Sequence, residues 1–556
     1  MLVRTIHALA LALLSLPRLA ATASDFPRLG AQAERELRAH VRFLAADVLE
    51  GRAPGSRGGQ VARAYLASQL EAFGYLPAGD NGSYEQRVPM VGVETQAPAR
   101  WSFAGAKGQL ALENRRDFVV FSGLQQDKVV LPVSELVFVG YGIVAPEFAW
   151  DDFKGLDVRG KVLVFLNNDP DWDPQLFAGQ TRLYYGRWSY KYEMAAKLGA
   201  AGAIIIHTTP SAGYPWEVVV SSWSGPQFEL PARDEPRVPV KAWVTEEAAR
   251  KLFALGGKSL EELLAKAKSR EFRPQSLGVT TSLVLENKLS QVEGANVLGL
   301  LPGSDEKLKE ELVVLSAHHD HLGVGLPDAR GDRIYNGARD NAAGCAQVLV
   351  MAKALAELPT RPKRSILVAF VDGEEYGLLG SAYLAAHPPV PPGRIAAIVN
   401  FDGGNIFGRT RDVAHIGRGK SSLDAVLELA AAQQGRTVVG DPFPDRGSFY
   451  RSDHFSFARI GVPGLYFKSG TDYLGKPAGW GRQMAEQWEA QHYHRPSDEL
   501  TPDWDFSGMV EDTELGFWCA LRVANDPALP QWVPQDEFAP AREQALKAMA
   551  TGQERP

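Results

Sequence analysis

Ser316–Gly323, SAHHDHLG, follows directly on the apolar run Leu312-Val313-Val314-Leu315. Such a run predicts a strand buried on both faces. A buried strand that stops in three histidines and an aspartate delivers imidazole and carboxylate to the carboxyl edge of a sheet, where open α/β folds place their ligands. His318 and Asp320 are separated by one residue. An imidazole that ligates through one ring nitrogen can therefore have the other held by a neighbouring carboxylate. Taken alone the stretch is equally a solvated strand end whose histidines cap loops, so its flanks decide the reading.

Downstream, strands and helices alternate. Strands are predicted over Val297–Leu300, Leu312–Ala317, Ser365–Val371 and Ile395–Phe401, interleaved with helices over Asn341–Glu357, Glu375–Ala386 and Ser422–Gln433. This alternation predicts an α/β sheet covered on both faces, with the long helix Phe506–Val523 packed on it. Acidic clusters fall where strands end or helices begin: Asp340 in NGARDNAAG (336–344), Glu374 and Glu375 in VDGEEYG (371–377), and Asp402 in NFDGG (400–404). Each acid taken singly is an ordinary helix N-cap or first-turn residue. QHYHRPSDE (491–499) then places His492 and His494 in a loop pinned by Pro496. Six of the eleven histidines fall in three windows, 318–321, 454 and 492–494, a bunching that scattered core histidines do not produce.

Two histidines and four carboxylates at strand ends suit a two-metal hydrolytic centre. Imidazole and carboxylate without thiolate favour zinc, with manganese or cobalt as substitutes. A carboxylate is the natural bridge between two ions, and adjacent Glu374 and Glu375 can divide the tasks of ligand and general base because neighbouring side chains diverge.

Upstream, Glu34–Leu49 and Gln60–Phe73 read as helices, joined by a Gly/Arg/Ser loop (51–59) expected to be a plain surface connection. Short strands follow from Tyr84. From Leu131 a compact β-rich pattern runs through GKVLVFLNN, AGAIIIHTT and VPVKAWV, with polar Lys288–Glu293 expected to be a linker. The first residues read as an export leader: Arg4, an apolar core from Ile6 to Leu16, and Ala21-Thr22-Ala23 as the cleavage site. The mature chain is expected to begin near Ser24, without a membrane span, in the periplasm or outside the cell. Net charge is −7, and −9 once Arg4 and Arg18 leave with the leader, which argues against a nucleic-acid surface. Only Cys345 and Cys519 occur, so the chain is no disulfide scaffold.

AHHDH, ARDNAAG, GEEYGLLGS, NFD, RSDH and HRPSD occur in this order between Asn296 and Val523. At these residues the chain resembles the secreted di-zinc aminopeptidases of the bacterial leucyl-aminopeptidase type, whose relatives include glutamate carboxypeptidase and transferrin receptor. The resemblance implies a three-layer α/β catalytic domain with a mixed central sheet, interrupted by a β-rich protease-associated domain: residues 1–23 leader, 24–130 and 287–556 catalytic, 131–286 insert. It implies two Zn2+ per chain, with His318 and Asp402 holding one, Glu375 and His494 the other, and Asp340 bridging. Glu374 is the implied base and Asp320 the group that orients His318. Arg339 departs from the pattern, since many members carry a second acid there. Tyr450, beside Arg451-Ser452-Asp453-His454, is a candidate oxyanion donor or a core tyrosine. The function implied is removal of N-terminal residues from peptide substrates. A carboxypeptidase or glutaminyl cyclase on the same scaffold, or a receptor-like module without catalysis, stays open, as does the oligomeric state. The residues show no distinct arginine cluster for a substrate carboxylate, which favours the aminopeptidase.

Overall fold

The computed structural model describes residues 26–551, so the expected leader lies outside the described residues. Two bodies share one strand. Gln275–Leu301 runs for 27 residues. Its first part pairs with Lys128–Phe138 in one body, and its last residues pair antiparallel with Ser365–Val371 in the other.

The larger body holds a mixed sheet. From the end of the long strand its order is Ser365–Val371, Leu312–His318, Ile395–Asn400, Gly464–Ser469, Asp412–Ile416 and Thr437–Gly440. The first four of these are mutually parallel, and the next, Asp412–Ile416, runs antiparallel to Gly464–Ser469. Leu312–His318, Ser365–Val371 and Ile395–Asn400 are buried along their whole length, as continuous apolar runs flanked on both faces must be. Helices Ala33–Leu44, Arg57–Ala72, Ala343–Ala356 and Ser507–Asn525 pack their apolar residues into one core with the sheet. Helix Leu379–Ala386 covers the other face together with residues around Phe457 and Val462. After Leu312–His318 the chain adds one neighbour on one side, Ser365–Val371, and the next on the other, Ile395–Asn400. The carboxyl end of the central strand is therefore a topological switch point, the place where such sheets open a crevice.

The smaller body is built on strands Lys128–Phe138, Val162–Leu166, Gly202–His207, Val240–Thr245 and Phe118–Ser122, paired in that order. Its hydrophobic core draws on residues from Trp101 to Leu285. The insert thus begins near residue 97 and not at 131. Strands Arg100–Gly105 and Gly108–Glu113 carry the same alternating pattern as the rest of the insert, and sequence offers no break between them. Lys288–Glu293 is likewise not a linker. It lies in the long strand, paired residue for residue with Glu94–Pro89, whose other edge takes Gln227–Glu229; its polar side chains face solvent. Cys345 and Cys519 are both buried and unpaired.

Candidate metal centre

His318 ends the central strand and is 1 % exposed. Its Nε2 faces Asp340 Oδ1 at 3.2 Å, Asp402 Oδ1 at 3.9 Å and Glu374 Oε2 at 4.0 Å. His494 Nε2 faces Glu375 Oε2 at 2.9 Å and the other oxygen of Asp340 at 3.4 Å. Asp340 therefore turns one oxygen to each imidazole. Neither Nε2 has a hydrogen-bond partner, although both are buried. Among the described residues, groups of three ligand atoms within 4.8 Å of one another form at His318, Asp340 and Asp402, at His321, Asp340 and Glu375, and at His318, Glu374 and Glu375.

Charge balance points the same way. Burial opposes the carboxylate of Asp340, yet His318 and His494 outweigh it and hold the carboxyl well below its usual range. Burial lowers His494, but Glu375 and Asp340 raise it to about 10, and His318 is raised well above its ordinary value against the same desolvation, chiefly by Glu374. The cluster thus gathers several buried carboxylates around two imidazoles. Two divalent ions with nitrogen and oxygen ligands fit that place, since carboxylates buried without a counter-charge are costly.

The surrounding residues fix this arrangement. Asp320 sits differently from expectation: His318 Nδ1 donates to its main-chain carbonyl at 3.2 Å, with the carboxylate 3.7 Å away. The Asp320 carboxylate instead accepts from the main-chain N–H groups of Glu374 and Glu375, at 3.1 and 3.4 Å. Asp498 accepts from the N–H groups of Arg339 and Asp340 at 2.9 and 3.0 Å, and so sets the bridging aspartate. Arg339 turns away from the bridge and lies 4.3 Å over Trp488.

Tyr450 is a core tyrosine and not the oxyanion donor. Its hydroxyl donates to Glu537 at 2.6 Å, among Phe449, Phe455 and Phe538. His454 is buried between Phe449 and Tyr466 with neither ring nitrogen bonded, and His492 bonds Ser497. Three contributors were missed. His321, inside the opening motif, bonds Glu375 Oε1 at 2.5 Å and is a further ligand candidate. Tyr466 lines the cavity beside Asp402 and Glu374, whose charges add to burial in raising its phenol. Arg52 comes from the loop expected to be a plain connection. It is 1 % exposed and donates to the carbonyls of Leu44, His319, Asn336 and Gly337.

The insert also reaches the site. Ser222 Oγ lies 2.8 Å from His494 Nδ1, the second hydrogen bond that fixes tautomer and ring orientation in a ligating histidine. Ser222→Ala is expected to weaken metal binding at His494 by about ten- to a hundredfold, read by competition with a chromophoric chelator. Unchanged affinity for both ions would remove Ser222 from that role.

Residues 296–517 match the model of peptidase family M28. Carboxypeptidase Q of Xenopus laevis is 24% identical over 350 residues, 62% of this chain and 60% of that protein. A probable zinc metalloprotease of Leptosphaeria maculans is 37% identical over 91 residues, 16% of this chain and 20% of that protein. The chain thus spans at most three fifths of these curated relatives. Among solved structures, an aminopeptidase from Aneurinibacillus sp. strain AM-1 superposes with a TM-score of 0.52 at 19% identity, over 90% of this chain and 96% of that one, which shows the same fold. All of the metal-facing residues lie within residues 296–517, the segment that matches peptidase family M28.

Proposed function

We propose that the chain is an exported, zinc-dependent aminopeptidase that hydrolyses the first peptide bond of its substrates. The observation that carries this is Asp340, with one oxygen toward His318 and the other toward His494. His318 and Asp402 would hold one zinc and Glu375 and His494 the other. Zinc bound there supplies a water of lowered pKa and polarises the scissile carbonyl. Glu374 borders the cavities on both sides of the site. Burial, with Glu375 and Asp402 adding to it and His318 opposing, pushes its carboxyl well above the ordinary value. It accepts the proton from the attacking water and delivers it to the leaving amine. The names of the two curated relatives support peptide substrates and zinc, and the resemblance of the insert to a protease-associated domain belongs to this same reading.

The test is the metal-loaded mature chain on paired peptides with free and acetylated N-termini. Free N-termini are expected to be cleaved at least about tenfold faster, since a buried charged partner lost to acetylation costs that much or more. Elemental analysis is expected to give about two zinc ions per chain, and chelation to abolish activity and lower the melting temperature, because ions that bind only the folded state stabilise it by mass action. Faster cleavage of the acetylated peptide would overturn the amino-end reading. Binding that saturates at one ion would overturn the two-metal centre.

A further inference from the structure

A cavity of about 190 Å3 lies between the two bodies, with Glu374, Glu375 and His494 on the catalytic side and Trp188, Val219 and Trp223 on the side of the insert. Trp188 opens helix Trp188–Lys197, and Trp223 follows directly on helix Trp216–Ser222. Ser222 Oγ lies 2.8 Å from His494 Nδ1, so Trp223 stands one residue from a group that touches a metal-facing imidazole. The two indoles meet edge to face, with centroids 4.8 Å apart and planes at 89°. Behind them, Trp223 stacks on Phe121 at 4.4 Å and Trp188 makes an edge contact with Tyr192 at 6.1 Å. Phe121, Tyr192 and Val219 are buried.

Both indoles are themselves only partly covered. A large apolar surface, braced from behind, therefore faces a cavity that the reacting groups also border. Rings held in this way lose little freedom when a side chain packs on them. An apolar side chain that enters leaves water, and an aromatic one adds a ring contact to the area it buries. Charge decides which substrate residue comes here. Arg187 borders this cavity and not the one of about 200 Å3 across Glu374, and its guanidinium lies 5.9 Å over Trp188. It repels the α-ammonium of a substrate's first residue. Glu193, an acid on the same wall, accepts from the Tyr184 hydroxyl at 2.5 Å, and burial holds its carboxyl above the usual range. The cavity across Glu374 has Asp402, Asp441 and Glu489 among its charged groups. The amino end is favoured there, and the residue after the scissile bond then meets the tryptophans.

We propose that Trp188 and Trp223 form the subsite for the side chain of the substrate's second residue and select large apolar, above all aromatic, residues there. This rests on the aminopeptidase reading above and adds to it which bonds are cleaved fastest. The selection belongs to the insert, because both tryptophans reach the site only where that body docks on the catalytic one.

The experiment compares leucyl-phenylalanine amide with leucyl-glycine amide on the zinc-loaded full chain. In parallel, calorimetry measures binding of the two analogues whose peptide carbonyl is reduced to methylene. Neither amide has a terminal carboxylate, so only the second side chain differs. Phenylalanine is expected to exceed glycine by about ten- to a hundredfold in kcat/KM, the range for burying one large apolar side chain, and its analogue to bind more tightly by a similar factor. Trp188→Ala and Trp223→Ala are each expected to lower this ratio by at least about fivefold, from lost area and lost ring contact. A ratio taken within one preparation is insensitive to any loss of folded enzyme. Trp223→Phe is expected to retain most of the preference. A wild-type ratio near one would overturn the subsite and leave the peptidase reading standing, and so would a ratio that both alanine variants leave unchanged. Variants that alter instead the preference between phenylalanyl-glycine amide and alanyl-glycine amide would overturn the assignment to the second residue. Cleavage of neither substrate, with both analogues bound alike, would overturn both readings. Tighter binding of the phenylalanine analogue, lost in both alanine variants, without cleavage would uphold the subsite and sink the peptidase.

Discussion

Glu374→Gln is expected to lower kcat by at least ~10²-fold, the lower range for loss of general acid–base catalysis, while both zinc ions stay bound. The carboxyl group of Glu374 stands 4.0 Å from His318 Nε2, close to the 3.9 Å of Asp402, and its main-chain N–H is fixed by Asp320. An amide fills the same space and keeps the backbone contact, so the ligand set is expected to survive. What it removes is the proton acceptor, and added zinc cannot replace that. KM is expected to change little, provided it reports binding. Glu375→Gln is the control. Its carboxylate touches both His494 and His321, so its loss is expected to weaken a metal site and to be partly relieved by excess zinc. Loss of zinc from Glu374→Gln, or near-normal turnover, would show that the two roles are exchanged.

Arg52→Met is expected to destabilise the metal-free chain by about 3 kcal/mol or more and to weaken zinc binding at least about tenfold. The guanidinium satisfies four main-chain carbonyls at 2.5 to 3.0 Å. Two of them, Asn336 and Gly337, precede Asp340 in the bridging loop, and a third, His319, follows His318. Methionine keeps much of the volume but no donor, so buried acceptors are left unpaired, each at a cost of about 1–3 kcal/mol. The approach is tight: a side chain at the neighbouring Gly51 would meet Tyr335 O at 2.5 Å, so the loop cannot drift to find water. A lower urea midpoint with a weaker zinc isotherm is the expected pair of readings. An unchanged midpoint and isotherm would show that the carbonyls find other donors.

Part of the metal-facing cluster was legible because His318, Glu374, Glu375 and Asp402 stand where apolar runs stop, whereas Asp340 and His494 lie in turns that no apolar run announces. His318, Glu374 with Glu375, and Asp402 end three adjacent strands, and the pattern of strands places them together before any coordinate is known. Tyr450 shows the limit of the same reasoning. Its neighbours in sequence are polar, but its hydroxyl is taken by Glu537, 87 residues on, and no local pattern announces that. Arg52 and Arg187 fall under the same limit. A basic residue in a loop reads as solvated, and only the folded chain reveals the carbonyls or the cavity it faces. The insert boundary was misplaced for a different reason. Strands on either side of residue 131 alternate alike, and the change of body is marked by which partner each strand finds.

The chain leaves the larger body after Gln96 and returns at Glu286, and these two residues sit opposite each other across the ribbon. A two-residue Asn-Gly turn would close that gap in the geometry natural to a hairpin. The whole insert is therefore topologically an overgrown hairpin loop. The sheet of the larger body is complete without it, since among the described residues its strands from Leu312 to Ser469 pair only with one another and with the end of the long strand. Such a graft adds side chains above the site without disturbing the strands that carry the metal-facing residues.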